Sequence, residues 1–123
     1  MAVDSEFENF VRELFEPLPD ITFRNMFGGL GVFRNGLMFA LCSSQNVLAL
    51  KADVHTIPDF QKEGCREWQP RMEGRKPVSM GYWEVPERLM DDPADFEQWA
   101  EEAFSAAARL DAGKPASQRK LKR

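Results

Sequence analysis

The sequence predicts an α+β domain of two layers: an antiparallel meander of about five to six strands, with N- and C-terminal helices packed on it. Three observations carry this prediction. Apolar residues recur at helical spacing over 5–16 and again over 93–111. Between 21 and 51 they fall instead into short β-branched and aromatic blocks separated by turn residues. An Asn-Gly pair, Asn35-Gly36, divides two of those blocks, and this dipeptide favours a hairpin because both turn positions need positive φ. A chain of 123 residues with 43% hydrophobic residues, ten of them Phe, can bury one core. At this size about two-thirds of the unfolded surface is covered on folding, so no disulfide staple is needed.

Each element follows in order. Phe7, Phe10, Val11, Leu14 and Phe15 share one face of a helix over 5–16, with Ser5 and Glu8 spaced as a capping box and Pro17 and Pro19 stopping it. Residues 21–27, 30–33, 37–42 and 47–51 read as strands, turning at Gly28-Gly29, Asn35-Gly36 and Ser43–Asn46. Thr56 is placed to cap a short helix over 57–63 that Gly64 closes. Glu67–Met72 is expected to supply a short edge strand, and Pro77–Val85 another that is distorted at Gly81. Pro86 and Pro93 sit where first helical residues belong, the latter after Asp92 as cap. Phe96, Trp99, Ala100, Ala103, Phe104, Ala107 and Leu110 form the apolar stripe of the last helix, and its alanines let it lie close on a sheet.

Charge divides the chain into a domain, 1–112, and a tail, 113–123. The tail holds Lys114, Arg119, Lys120, Lys122 and Arg123 and no acid, which leaves eleven basic against twenty acidic residues before it. Its composition predicts disorder. The first twenty residues contain seven charged side chains and no apolar signal core, and the two cysteines lack the density of a secreted scaffold, so a cytoplasmic protein without membrane contact is expected.

The chemistry of catalysis is thinly supplied. His55 is the one histidine available as a base. Cys42 reads as a small core residue, and Cys65 as a thiol whose neighbour Arg66 lowers its pKa. There is no C-x-x-C, H-E-x-x-H or EF-hand spacing, so no metal or other cofactor is expected. Gly28-Gly29-Leu30-Gly31 lacks the Lys-Ser/Thr of a phosphate loop and is followed by strand residues, so backbone geometry explains it better. The paired carboxylates Asp91-Asp92 and Glu101-Glu102 fall on polar surroundings, where nothing raises a pKa toward acid catalysis. A non-enzymatic role is the expectation.

Several strings together resemble a known family. Phe23-Arg-Asn-Met-Phe-Gly-Gly-Leu-Gly-Val-Phe33, Asn35-Gly-Leu-Met-Phe-Ala-Leu41, Leu48-Ala-Leu-Lys-Ala-Asp53, Met80-Gly-Tyr-Trp-Glu-Val-Pro86 and Trp99-Ala-Glu-Glu-Ala103 are similar to the N-terminal domain of TfoX/Sxy proteins. The resemblance spans about residues 5–110. It implies an α+β fold with an antiparallel sheet, like that of type III secretion chaperones, and regulation of competence genes beside a cyclic-AMP receptor-type transcription factor. The named regulators carry a second, helical domain, where this sequence has its short tail. The family motif defines no catalytic residue.

Three functional readings result. The first is a protein-interaction or regulatory module, a transcriptional or competence co-regulator by resemblance. It would use a sheet edge bordered by 65–76, with Trp68 and Met72 as anchors. The second is a nucleic-acid accessory protein using the cationic tail. Five phosphate contacts would give a salt slope of about −4.5, roughly 500-fold weakening between 50 and 200 mM salt. The third is an anionic-ligand face lined by Arg24, Met26, Lys51 and Tyr82, which takes the strands of Arg24 and Lys51 as neighbours. A monomer or a homodimer through a sheet edge or helix face fits all three.

Overall fold

A computed structural model describes residues 5–26, 28–70 and 79–121. The chain runs α1 (Ser5–Phe15), β1 (Ile21–Met26), β2 (Gly29–Arg34), β3 (Leu37–Cys42), β4 (Leu48–Lys51), α2 (Ile57–Lys62), β5 (Tyr82–Glu84) and α3 (Pro93–Ala112). Short 3₁₀ helices occupy Glu87–Asp91 and Ala116–Gln118. The strands form one sheet in the order β1-β2-β3-β4-β5, each antiparallel to the next. The meander is thus the predicted one, at the lower end of the expected strand count.

Local chemistry accounts for the turns. Asn35 and Gly36 take φ of 52° and 81°, the two left-handed positions that a tight hairpin with right-twisting arms requires. The β2–β3 register then slips between Val32 and Phe33, so that Val32 faces Ala40, Phe33 faces Met38, and Phe39 is the extra residue. This bulge re-aims the strand, and Phe39 and its neighbour Ala40 are both fully buried. Asp92 caps α3 as expected, its Oδ1 accepting from the Asp95 N–H at 3.2 Å.

Four local expectations are corrected. Ser5 is itself helical, and Glu8 pairs with Arg12 at 3.2 Å and accepts from Asn25 Nδ2 instead of closing a capping box. The Thr56 hydroxyl accepts from the Asp53 N–H at 3.0 Å and leaves the first turn of α2 without a side-chain cap. Glu67 makes a single bridge to Trp83, not an edge strand, and Met72 lies outside the described residues. The strand expected over 77–85 is three residues long, entered from Gly81 at φ 78°, with 77 and 78 outside the described residues.

The core lies between the sheet and the helices. Val11, Leu14 and Phe15 of α1 meet Leu30, Val32, Phe39, Leu48 and Leu50 of the sheet and Phe96, Ala100, Ala103 and Ala107 of α3. The alanines allow the close approach that their small size predicts. The stripe of α3 ends differently from the prediction: Leu110 is 42% exposed, and Asp111, at 2%, is buried. Position 111 follows Ala103 and Ala107 at i+4 steps, so the inward face continues through it.

Three polar links tie the layers. Arg34 donates to both oxygens of Glu101 at 2.8 Å and to the Pro19 carbonyl at 3.0 Å, with its guanidinium 4.7 Å from the Phe104 ring centre. Arg109 donates to both oxygens of Asp53, at 2.6 and 3.0 Å. Asp111 accepts the backbone N–H groups of Lys120 and Leu121, at 2.8 and 2.9 Å. In the segment after α3 a short 3₁₀ turn spans Ala116–Gln118, and Leu121 packs on the core.

Candidate functional site

Strand alternation divides the sheet into a face under the helices and a face that α1 and α3 do not cover. Leu41, Ala49 and Tyr82 form a hydrophobic cluster separate from the main core, with Met38 and Trp68 packed against it. The register carries this second face across the sheet: Arg24 lies opposite Gly31, Gly31 opposite Leu41, Leu41 opposite Ala49, and Ala49 opposite Glu84. Thr22, Phe33 and Met38 make a parallel row.

Gly31 forms the floor of this face. A side chain there would meet Met26 Sδ, the Phe33 ring and Met38 Sδ, which converge above it. The Arg24 guanidinium stacks 5.5 Å from the Phe33 ring centre and is exposed. At the far side the Trp68 N–H donates to the Tyr82 carbonyl at 2.8 Å. Lys51 donates from Nζ to the Met80 carbonyl at 2.8 Å and sits 4.6 Å over the Tyr82 ring. Burial, and then the charge of Lys114, pushes the Lys51 pKa down, and burial pushes that of Tyr82 up.

The structure thus brings Arg24, Met26, Lys51, Trp68 and Tyr82 to one face of the sheet. It does not bring Arg24 and Lys51 together as an anion site. Their strands are β1 and β4, with β2 and β3 between them, about 14 Å at the usual strand spacing. The assumed neighbourhood of these two strands is wrong because the meander returns β4 to β3, not to β1.

The groups considered for chemistry are placed elsewhere. Cys42 is buried, and desolvation pushes its thiol up to about 11. Cys65 is also raised, by burial and by Glu63 and Glu84, so the expectation of an Arg66-activated thiol is corrected: Arg66 is spent on Glu84 at 3.1 Å. At pH 8 Cys42 should be only about one part in a thousand thiolate. Native protein should therefore react slowly at Cys65 and negligibly at Cys42 with a thiol-specific label, and both should react at once on unfolding. Fast native labelling of either would contradict these environments.

Cys65 lines an open groove of about 550 Å³ with Glu63, Arg66, Glu84, Glu87 and Arg88. Arg88 reaches Glu63 at 2.6 Å and Asp95 at 2.7 Å, and Arg66 pairs with Glu84. Among the described residues, no three His, Cys, Asp or Glu side chains are grouped to hold a metal ion.

The TfoX N-terminal domain model matches residues 13–107, most of the chain. This chain belongs to the TfoX N-terminal domain family. The strings that carried the resemblance now have positions: the glycine-rich one is the β1–β2 hairpin and the floor of the uncovered face, and Met80–Pro86 contains β5. No curated protein matches the chain. No helix among the described residues of this TfoX N-terminal domain is long and apolar enough to cross a membrane.

Sequence reasoning missed Asp111, Asp53–Arg109 and Arg34–Glu101. Asp111 had a legible signal, a carboxylate on the alanine stripe of α3. The two N–H donors of Lys120 and Leu121, with Lys114 and Arg119 nearby, hold its carboxyl below the usual aspartate range. A depressed folded pKa means the contact stabilises the fold above the unfolded value near 3.9 and is lost as pH falls through the lower folded value. Hydrogen exchange should show Lys120 and Leu121 amides protected at pH 7. Asp111→Asn should speed their exchange roughly tenfold while the middle of α3 stays protected. Equal exchange in both proteins would show that the carboxylate does not hold the segment.

Proposed function

We propose that this domain is a non-enzymatic protein-interaction module with a regulatory role, and that its partner docks on the helix-free face of the sheet. One observation carries the reading: the five described candidate residues, drawn from β1, β4, β5 and the Trp68 segment, share that face around a half-exposed band of Met26, Phe33 and Met38. Thioethers and aromatic rings adapt their shape to a partner without holding polar groups that would need pairing. Family membership supports the regulatory part, with competence regulation and a transcription-factor partner as the specific form, and a cytoplasmic location accords with it.

The test is affinity purification from the native cell with three baits: the natural chain, Met26→Lys/Met38→Lys, and Arg66→Ala as a control in the groove. A partner held at micromolar concentration by the first and third baits and lost from the second is expected. Equal retention by all three, or no saturable partner, would end the proposal.

A second reading, contact with a polyanion such as duplex DNA, is favoured by the course of the C-terminal segment. Asp111 holds it through backbone groups, which leaves Lys114, Arg119 and Lys120 exposed. Deleting 113–123 should then abolish duplex binding together with its salt dependence. Binding that survives the deletion, or no binding by the full chain, removes this reading.

A further inference from the structure

The two edges of the sheet are finished differently. At β5 the chain before it closes the edge: Trp68 N–H donates to the Tyr82 carbonyl at 2.8 Å, and Glu84 N–H donates to the Arg66 carbonyl at 3.0 Å. At β1, among the described residues, no backbone hydrogen bond reaches the outer side of Ile21–Met26. β1 is as long as β2 and β3, six residues, its register with β2 is unbroken, and it contains no proline or lysine. Proteins commonly blunt a free edge with such residues, with bulges or by covering it, because its open N–H and C=O groups template pairing with another strand. Here the strand carries one exposed charge, Arg24, and α1 reaches it through side chains, Glu8 to Asn25 and Arg12 over Phe23, so its outer backbone groups stay open among the described residues.

The sequence of this edge is complementary to itself when reversed. Laid antiparallel about Thr22, the segment Asp20-Ile21-Thr22-Phe23-Arg24 sets Thr22 opposite the partner's Thr22, Ile21 opposite the partner's Phe23, and Asp20 level with the partner's Arg24. Threonine pairs, β-branched–aromatic pairs and opposite charges are the three kinds of cross-strand neighbour that stabilise antiparallel sheets. Asp20 is exposed and turns into the strand at φ 60°, so its carboxylate flanks the ladder instead of entering it. Centring the pair on Phe23 would lose the charge match, and centring it on Arg24 would set two guanidinium groups face to face. Ile21 and Phe23 each pack on the core yet are only half buried, so a second strand would cover what remains of them.

We infer that β1 is a self-association edge, pairing antiparallel with β1 of a second copy about a two-fold axis at Thr22. Residues directly opposite lie on the same face in this register, so both sets of helices stay on one side. The two helix-free faces join across a ten-stranded sheet. The contact is small, which places the dimer at the weak, concentration-dependent end of protein interfaces. The inference does not rest on the proposed partner: it is read in purified protein alone, whereas partner capture is read in the cell.

The experiment combines sedimentation with cross-linking. The natural chain should move from monomer to dimer as its concentration rises toward about 1 mM. Opposed residues in an antiparallel pair have Cα atoms about 4.5–5.5 Å apart, within disulfide range. In a Cys65→Ser background, Thr22→Cys should therefore form a disulfide-linked dimer on mild oxidation. Asn25→Cys should not, since its two copies would stand about 20 Å apart along the strands. Arg24→Asp should weaken the dimer about tenfold, and Asp20→Arg/Arg24→Asp should restore part of the loss. A monomer at the highest concentration, or a dimer that cross-links through Asn25→Cys as readily as through Thr22→Cys, would overturn the assignment.

Discussion

Phe15→Ala is expected to cost about 3–5 kcal/mol of folding stability, the range for deleting a buried ring that its surroundings cannot close over. Phe15 is fully buried. Its ring stands edge-on to Phe96 of α3 at 5.1 Å, to Phe39 of β3 at 5.9 Å and to Phe23 of β1 at 6.4 Å. One side chain from the end of α1 thus meets the sheet at two strands and the other helix. A domain of this size has roughly 6–18 kcal/mol in total, so the loss is a large share of it. Urea unfolding should show a lower midpoint at an unchanged slope. Phe7→Ala, at a half-exposed position of the same helix, should cost about 1 kcal/mol. Similar costs for the two would mean that the ring cluster is not where the layers are joined.

The second large effect separates two glycines of one string. At Gly29 an added Cβ would overlap the backbone carbonyl oxygen of Cys42, across the β2–β3 pairing. Backbone held in a ladder has nowhere to move, so Gly29→Ala should cost about 1–3 kcal/mol or more. At Gly31 the added atom would meet Met26 Sδ at 2.7 Å, the Phe33 ring at 2.9 Å and Met38 Sδ at 3.1 Å. Two of these are the ends of flexible side chains on the uncovered face, so Gly31→Ala should cost less than about 1 kcal/mol. Thermal unfolding of the pair checks this ordering. The reverse order would show that the strand crossing at Cys42 is looser than the cluster over Gly31. Gly29 is thus spent on close approach between strands, and Gly31 on room for the side chains that converge above it.

How far the sequence carries depends on whether the signal is local. The helix over 5–16, the hairpin at Asn35-Gly36 and the capped helix after Asp92 each rest on residues within one turn of one another. In all three cases the element stands within a residue or two of its predicted place. The short helix at 57–63 is also present, but its anchor is Asp53 with Thr56 turned back toward it, a preference that competes with capping and that spacing alone does not resolve. The Glu67–Met72 segment lacked periodicity altogether, and only its one bridge to Trp83 is formed among the described residues. The neighbourhood of Arg24 and Lys51 depends on strand order, and a meander places two strands between β1 and β4.

Composition and period by themselves determined the α+β class, the antiparallel meander and the helical ends, and the resembling strings carried the family, because each depends on residues adjacent in the chain. Tertiary structure alone decided that Arg24, Met26, Lys51, Trp68 and Tyr82 share the helix-free face, that among the described residues β5 is closed while β1 is open, and that a buried Asp111 holds the cationic segment. Those outcomes depend on which strands become neighbours and on which face of α3 turns inward at its last turn. Both are set by packing between residues tens of positions apart, where no local preference reaches.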